Sequence, residues 1–369
     1  MKKILYGVCG IGTGHMQRQL PFVEHFARSA RVVVFAYGKS LDFYRAYFKD
    51  SSSVTVLEVA VPFYIAGKDG IDVGASMKLP QNGGIDFEGI NKRAADDAFK
   101  MLGTPDLVVS DYEPESARYA YTYNAPLITV DQQSKYLLKG FPENLEGYTY
   151  ADEVARLLFF FPHAELRIAC SFFAVPANDN PHHVVIAPPP IRKEFEVMQR
   201  EPVANSFAVY ISSARDFGQE PEAIAYILGA QKRATFHLFA GREALDQLRR
   251  MVLPQNVFAH LYGDPEFLRV ISGCSGVIAT AGHSLLSEAM YLGIPVYAIP
   301  VAPYEQYMNA RIVDSHGFGV AHKELDKEKL GYFIENVPQF SENILKDTTV
   351  LMRGNGTEKI IELLEEKID

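Results

Sequence analysis

The chain has 369 residues and a net charge of -9, with 48% hydrophobic and 22% charged residues. This length fits two domains of moderate size, and the composition is that of a folded globular protein rather than a disordered one. The negative charge argues against a general nucleic-acid binder, because such binding depends on Lys and Arg side chains that neutralise phosphates.

The predicted elements of the first half alternate between short, β-branched strands and helical stretches. The strands are expected at 4–8, 32–36, 54–57, 107–110 and 127–130. Such alternation is typical of a parallel sheet covered by helices. Between the third and fourth of these strands, residues 66–90 are rich in glycine and lack periodicity, so we expect a long functional loop there.

The second half repeats this rhythm after a proline-rich segment. Residues 187–191 read Ala-Pro-Pro-Pro-Ile, a stiff connector that neither a helix nor a central strand accepts. We therefore expect an N-terminal domain over 1–190, a C-terminal domain over 191–355, and a C-terminal helix in 356–369 that packs back toward the first domain. Further strands are expected at 207–211, 235–239, 257–259, 276–279 and 296–299.

The cysteines and the N-terminus bear on the cellular compartment. Cys9, Cys170 and Cys274 are far apart and form no C-x-x-C pair, so we expect neither a disulfide framework nor a zinc site. The first apolar run is interrupted by glycines and is too short for a signal peptide or a membrane span. These features predict reduced core thiols and a cytoplasmic protein.

A glycine-rich turn joins the first strand to the first helix, where residues 10–15 read Gly-Ile-Gly-Thr-Gly-His. Such a turn lets backbone N–H groups approach a ligand, and the helix N-terminus favours negative charge. A dinucleotide site of the G-x-G-x-x-G type fits poorly, because His15 stands at the third glycine position. In addition, the second strand ends in Tyr37-Gly38-Lys39, without the acid that would hold a ribose.

His15 instead suggests acid–base chemistry. It stands at the start of a helix, outside the strand ends where ligands of doubly wound sheets bind, and can accept a proton there. A base of this kind needs an orienting carboxylate, and Asp111, directly after the strand at 107–110, would face the same crevice. A helix cap for His15 and a turn brace for Asp111 are the plain structural alternatives.

Residues 276–319 carry the most specific pattern in the chain. A strand is followed by a glycine-serine turn, a helix, and a Gly-Ile-Pro segment that enters another strand. The amides at the N-terminus of that helix form a natural seat for a diphosphate, and no metal is required there. Glu288 lies one helical turn beyond Ser284, where its carboxylate can accept hydrogen bonds from ribose hydroxyls. The amides belong to Gly282, His283 and Ser284, and the following loop carries Glu305, Gln306 and Asn309.

This pattern resembles the donor-binding half of GT-B glycosyltransferases of families 1 and 28, which include the enzyme that adds N-acetylglucosamine to the peptidoglycan lipid precursor. The likeness covers nearly the whole chain, from the G-x-G-H start through the proline-rich hinge to the run G-x(5)-E…G-x-P…P…Q-x-x-N. It implies an α/β protein of the GT-B fold, with two Rossmann-like, doubly wound parallel-sheet domains facing across a cleft. The first domain would bind the acceptor and the second the nucleotide-sugar donor.

The resemblance also implies roles for individual residues. His15 would deprotonate the acceptor hydroxyl while Asp111 stabilises the resulting imidazolium. Glu288 would hold the ribose and Gln306 the donor sugar. Ser212 and Ser213 stand where relatives often have a glycine-rich loop, so phosphate contact would come from their hydroxyls, from backbone amides or from Arg215. The complete donor-binding set is Gly12, Gly14, Ser212, Ser213, Arg242, Tyr262, Gly282, His283, Ser284, Glu288, Glu305, Gln306 and Asn309.

We therefore expect an inverting, metal-independent glycosyltransferase that moves a hexose-type sugar from a nucleotide-diphosphate-sugar to a hydroxyl acceptor, in cell-envelope or glycoconjugate biosynthesis. The resemblance favours UDP, and the nucleotide sugar is a co-substrate, with no cofactor expected. The acceptor would be a sugar, a lipid-linked molecule or another small molecule. Residues 148–161 are either a core helix or a patch that touches a lipid-linked acceptor at the inner face of a membrane.

Three alternatives stay open at this point. A UDP-sugar 2-epimerase would share the fold and the donor pocket but transfer nothing to an acceptor. A non-catalytic module would bind the sugar nucleotide without turnover, although His15 together with Asp111 argues against it. A dinucleotide oxidoreductase comes last, because the third glycine and the ribose-binding acid are missing.

Overall fold

The structure is a computed structural model that describes residues 1–67, 70–176, 179–211, 218–301 and 304–368. The chain divides into two compact units. The first comprises Met1–Glu143, Thr149–Arg192 and Asn355–Asp369, and the second comprises Asn144–Tyr148 and Lys193–Gly354. Within the described residues, no helix combines the length and the apolarity needed to cross a bilayer.

In its described part, the first unit has nine strands. They are β1 (Lys2–Val8), β2 (Ala30–Ala36), β3 (Val54–Glu58), β4 (Ile65–Gly67), β5 (Gly70–Asp72), β6 (Leu107–Asp111), β7 (Leu127–Asp131), β8 (Leu166–Cys170) and β9 (Val184–Ala187). Seven of them form a sheet in the order β3-β2-β1-β6-β7-β8-β9, with parallel pairing throughout. The five predicted strands are confirmed, whereas β8 and β9 were not predicted.

The helices of this unit cover both faces of the sheet. They are α1 (Gly14–Ala27), α2 (Gly38–Tyr47), α3 (Val73–Ser76), α4 (Phe87–Leu102), α5 (Pro114–Tyr123) and α6 (Ala151–Phe160). Two apolar clusters result, one on each side, and alternate residues of β1 belong to alternate clusters. The strands therefore read as continuous apolar runs, as expected of a parallel sheet that is buried on both faces.

Residues 66–90 correct the expectation of a long loop. They include parts of the antiparallel pair β4 and β5, then α3, a 3-10 turn at Pro80–Asn82 and the start of α4. The buried amide of Asn82 organises this region. It donates to the carbonyl oxygens of Phe63 and Ser76 over 2.9 and 2.7 Å, and it accepts from the amide of Phe63 over 2.8 Å. Because these bonds join residues distant in sequence, hydrophobic periodicity does not reveal the order.

The second unit contains a six-stranded parallel sheet. Its strands are β10 (Ser206–Ile211), β11 (Thr235–Ala240), β12 (Val257–Leu261), β13 (Gly276–Thr280), β14 (Val296–Ile299) and β15 (Gly319–Ala321). The order is β12-β11-β10-β13-β14-β15. Five of these strands were predicted and are confirmed. The helices are α7 (Lys193–Glu196), α8 (Pro221–Ala230), α9 (Arg242–Leu248), α10 (Glu266–Gly273), α11 (His283–Tyr291), α12 (Tyr304–Ser315), α13 (Lys327–Lys346) and α14 (Val350–Arg353).

The last helix, α15 (Thr357–Glu365), packs on the first unit. Its apolar residues Ile360, Ile361 and Leu364 are buried in the same cluster as Phe26 of α1. The three cysteines of the chain are free and buried. The first unit is thus closed by the C-terminal end of the chain.

Candidate functional site

The sheet of the first unit reverses its strand order between β1 and β6. The strands β2 and β3 extend the sheet on one side of β1, while β7, β8 and β9 extend it on the far side of β6. Ligands of open α/β sheets bind in the crevice outside the carboxyl ends of the strands at such a switch point. The turn after β1 leads to His15, and the last residue of β6 is Asp111.

His15 and Asp111 are in direct contact at this point. The Nδ1 atom of His15 lies 2.9 Å from Oδ2 and 3.0 Å from Oδ1 of Asp111. The Asp111 side chain is fully buried, whereas 13% of the His15 side chain remains exposed. The structure therefore brings together the two residues that the sequence predicts as base and orienter.

The glycine-rich turn allows this placement. A Cβ atom on Gly10 would stand 2.1 Å from the carbonyl oxygen of Tyr37, so only glycine lets the two segments approach. Gly12 has φ +75°, a conformation that disfavours other residues, and Gly14 is the first residue of α1. Gly12 and Gly14 thus belong to the first unit, beside His15.

A third side chain joins the pair, and sequence reasoning missed it. Arg18 follows His15 by one helical turn, and its Nη2 atom donates to Oδ1 of Asp111 over 2.9 Å. The Arg18 side chain is only 5% exposed. The available signal was a basic residue three positions after His15, on the helix face that also carries the apolar residues Phe22 and Val23.

The three side chains determine one another's protonation. Burial lowers the pKa of His15, but the charge and hydrogen bond of Asp111, together with a contribution from Cys9, outweigh burial and raise this pKa to about 10. Burial raises the pKa of Asp111, while Arg18 and then His15 lower it, and the net pKa is below the usual value. Because an ionised carboxylate only accepts hydrogen bonds, Nδ1 of His15 carries the proton between them.

Tyr112 is a further neighbour of His15 that the sequence did not indicate. Its backbone has φ 55°, the left-handed region that non-glycine residues seldom adopt. Its ring lies 6.5 Å from the His15 ring, with an angle of 27° between the planes. The Tyr112 hydroxyl accepts a hydrogen bond from Nε of Arg156 on α6 over 3.2 Å. Tyr112 therefore forms one wall beside the imidazole.

The second unit has its own switch point, between β10 and β13. After β13 the chain reaches Gly282, which precedes α11 with extended backbone angles, φ −71° and ψ 138°. Among the described residues other than Gly282 and its chain neighbours, no atom lies within 4 Å of the position that a Cβ on Gly282 would occupy. His283 is buried, Ser284 is half-buried, and Glu288 is buried one turn later. The N-terminus of α11 thus offers open space next to backbone N–H groups.

The residues on α12 are held against this turn. Asn309 is fully buried and donates to the carbonyl oxygen of Ala281 over 3.0 Å, so its amide braces the turn before α11. Gln306 accepts from the amide of Val301 over 3.1 Å, and Glu305 is half-buried on the first turn of α12. The sequence groups Asn309 with the donor-binding residues, and in the structure its side-chain amide also supports the turn before α11.

Two further predicted donor residues, Arg242 and Tyr262, follow the carboxyl ends of the neighbouring strands β11 and β12. Arg242 is exposed on the first residue of α9, after β11. Tyr262 follows β12, donates from its amide to the carbonyl oxygen of Ala240 over 2.7 Å, and packs its ring 5.0 Å from that of Tyr210. Ser212 and Ser213 lie outside the described residues. Among the residues that the structure describes, no three His, Cys, Asp or Glu side chains form a group that could hold a metal ion.

Known proteins resemble this chain over its whole length. A profile of glycosyl transferase family 1 matches residues 2–338. A relative from Methanosarcina acetivorans, described as an uncharacterized glycosyltransferase, is 24% identical over 390 aligned positions that cover 99% of this chain and 96% of the relative.

Solved structures show the same fold. The glycotransferase of kitacinnamycin has a TM-score of 0.70 and 16% identity, covering 100% of this chain and 99% of that chain. Arabidopsis thaliana UGT89C1, solved in complex with UDP-L-rhamnose, has a TM-score of 0.63 and 14% identity, with coverage of 100% and 99%. The two parallel-sheet units therefore have the GT-B fold, which confirms the predicted fold class.

Proposed function

Because the chain belongs to glycosyl transferase family 1 and is a glycosyltransferase, we propose that it is an inverting, metal-independent enzyme acting on a hydroxyl acceptor. Its donor is a nucleotide-diphosphate-sugar with a hexose-type sugar, and no further cofactor takes part. The observation that carries this proposal is the contact between His15 and Asp111 at the switch point of the first sheet.

The geometry supports a base-assisted displacement. With Nδ1 of His15 occupied by Asp111, Nε2 is the ring nitrogen that takes the acceptor's proton. The acceptor oxygen then forms a bond to the anomeric carbon as the bond from that carbon to the phosphate oxygen breaks. The diphosphate leaves with the electron pair, and attack from the opposite face inverts the anomeric configuration. Asp111 stabilises the imidazolium that results.

The donor would be held by the second unit. The amides of Gly282, His283 and Ser284 at the N-terminus of α11 suit a diphosphate, because that end of a helix carries partial positive charge. Glu288 would accept hydrogen bonds from the ribose. Gln306 would meet the sugar, while Asn309 positions the turn through Ala281. Further proposed donor contacts are Gly12, Gly14, Ser212, Ser213, Arg242, Tyr262 and Glu305.

UDP is the proposed nucleotide. The sequence resemblance favours it, and a protein with the same fold was solved with UDP-L-rhamnose. The pKa of His15, raised to about 10, adds a condition. The neutral imidazole is a minor species at neutral pH, so transfer should accelerate as the pH rises toward that value.

The test measures transfer, stereochemistry and metal dependence together. Purified protein is incubated with a panel of UDP-sugars and 4-methylumbelliferone as a phenolic acceptor probe, with and without EDTA, and UDP release is followed. We expect EDTA-insensitive UDP release and a product with inverted anomeric configuration by NMR. Retention of configuration, or loss of activity with EDTA, would contradict the proposed mechanism.

Two variants test whether His15 itself acts as the base. His15→Ala should lower kcat by about 10²- to 10⁴-fold and leave UDP binding nearly unchanged, because only the proton transfer is lost. His163→Ala removes an exposed histidine of the same unit and should retain activity. A sugar nucleotide that is isomerised without any acceptor would instead identify an epimerase.

A further inference from the structure

Arg18 lies at the centre of the base site but cannot touch a substrate. It projects from the buried face of α1, and only 5% of its side chain is exposed to solvent. Its neighbour Gln19 is equally buried but faces other partners. The Gln19 amide donates to the carbonyl oxygen of Val130 over 2.9 Å and accepts from the hydroxyl of Tyr6 over 2.5 Å. Arg18 alone of these two contacts the reacting pair.

One carboxylate serves two cationic partners. Oδ1 of Asp111 lies 2.9 Å from Nη2 of Arg18 and 3.0 Å from Nδ1 of His15, and Oδ2 lies 2.9 Å from the same Nδ1. Nη2 and Nδ1 are themselves 2.9 Å apart. Both nitrogens carry hydrogen, so this last separation is a contact between two donors that converge on one acceptor.

How much Arg18 stabilises the ionised Asp111 depends on the protonation state of His15. While His15 is an imidazolium, Asp111 has two cations beside it. When His15 loses a proton and becomes competent as a base, the carboxylate of Asp111, which is fully buried, keeps a single cation in contact. Without Arg18 the buried carboxylate is costly, and the imidazolium would become neutral by passing its Nδ1 hydrogen to Asp111. Nε2 would then keep its hydrogen and could not act as the base.

We propose that Arg18 is a positioning residue that keeps Asp111 ionised beside His15, so that the imidazole hydrogen stays on Nδ1 and Nε2 accepts the acceptor's proton. The proposal rests on the proposed function only in taking His15 as the base. Arg18 has a second effect, because a cation 2.9 Å from the ring opposes the charge that His15 gains. Arg18 therefore also counteracts the rise that Asp111 causes in the pKa of His15.

The other groups around the cluster do not replace Arg18. Burial raises the pKa of Tyr6, Tyr44 and Tyr112 well above the usual value and that of Cys170 to about 12, so these side chains are uncharged near neutral pH. Asp131 is a buried acid that accepts from Ser134. Among the described residues, Arg18 and His15 are the cations bonded to Asp111. The titratable side chains facing the cluster are Tyr6, Cys9, Tyr44, Tyr112, Asp131 and Cys170.

The first test follows the carboxyl group of Asp111 and needs no turnover. Carbon-13 NMR is recorded from neutral pH down to about pH 4.5, a value above the ordinary pKa of Asp. The Asp111 signal is assigned by its loss in Asp111→Asn. We expect Asp111 to remain ionised across this range in the wild type, and its pKa to rise by about 1–3 units in Arg18→Gln. An unchanged pKa in Arg18→Gln would overturn the proposal, as would a wild-type Asp111 that is protonated at about pH 4.5.

The second test measures kcat/KM against pH for the same proteins. In Arg18→Gln the rising limb should move to higher pH by about one unit or more, because the cation that opposes protonation of His15 is gone. Arg18→Lys keeps the charge and should restore the position of the limb. The control Gln19→Leu removes a buried polar side chain from the same helix and should leave that position unchanged.

A purely structural role would lower kcat/KM in Arg18→Gln by the same factor at every pH, and that result would refute the proposal. If Arg18→Gln does not fold, the wild-type carboxyl titration and the Arg18→Lys profile still decide the matter. If the titration of Asp111 shifts as expected but no sugar is transferred, the proposed function fails and the electrostatic part of the inference stands.

Discussion

The amide of Cys9, the residue after β1, donates a hydrogen bond over 3.0 Å to the carbonyl oxygen of Asp111, the last residue of β6. This bond fixes the turn that leads to His15 against the strand that ends in Asp111. The distance between the imidazole and the carboxylate is therefore set by the backbone of two adjacent parallel strands. Four substitutions test this site, its counterpart in the second unit and the packing of α15.

Replacement of Asp111 by Asn should change both the height and the position of the pH profile. Asp111 raises the pKa of His15 to about 10, so its loss should move the rising limb of kcat/KM to lower pH. The plateau should fall by about 10²- to 10⁴-fold, because the imidazolium loses its stabilising charge. The measurement is kcat/KM from acidic to alkaline pH. If the rising limb of kcat/KM stays at its wild-type pH, Asp111 does not control the pKa of His15.

Replacement of His15 by Gln should make the free energy of unfolding depend less on pH. The pKa of His15 is about 10 in the folded protein and about 6.5 in an unfolded chain. The stabilisation from its proton is fully present below about pH 6.5 and is lost as the pH rises toward 10. The free energy of unfolding of the wild type, relative to His15→Gln, should therefore decline across this window. Denaturant titrations at several pH values measure it, and a constant difference would contradict the raised pKa.

Replacement of Gly282 by Ala should separate donor binding from folding. The backbone angles of Gly282 suit alanine, and no described atom beyond its chain neighbours lies within 4 Å of the new Cβ. The free energy of unfolding should therefore change by less than about 1 kcal/mol. The methyl group would occupy the proposed diphosphate seat and weaken UDP binding by about tenfold or more, or about 1.4 kcal/mol. Calorimetric titration with UDP measures this loss.

The matched control is Gly273→Ala, at the end of α10. A Cβ there would stand 3.6 Å from the carbonyl oxygen of Glu201, an ordinary contact away from the α11 turn. UDP affinity should remain that of the wild type. Equal affinity in both variants would remove the α11 N-terminus from the donor site.

Replacement of Ile360 by Ala should destabilise the first unit, although the residue lies near the end of the chain. Ile360 is fully buried in the cluster beneath β1, and loss of such a side chain costs about 2–5 kcal/mol. Hydrogen exchange should show reduced protection of the amides of β1, with those of β10 unaffected. Leu345→Ala, at a residue that is 57% exposed, serves as the control. Loss of protection in β10 alone would contradict the assignment of α15 to the first unit.

The resemblance and the strand pattern predicted His15 and Asp111, because each residue stands beside a feature that is visible in the local sequence. Asp111 was found because it ends an apolar run, and His15 because it follows a glycine-rich turn. Arg18 escaped notice because its position, three residues after His15, does not by itself show that its partner is Asp111, 93 residues away in sequence. Tyr112 was missed for a related reason, since its left-handed backbone follows from packing rather than from its residue type.

The sequence by itself determined the alternation of strands and helices, and with it the parallel sheets and the strand ends at which ligands bind. Each of these features follows from the spacing of apolar residues over a few positions. Only the tertiary structure decided that Asp111 is shared by His15 and Arg18 and that Asn82 orders residues 66–90. Those outcomes depend on hydrogen bonds and burial between segments far apart in the chain, and a periodic pattern contains no record of them.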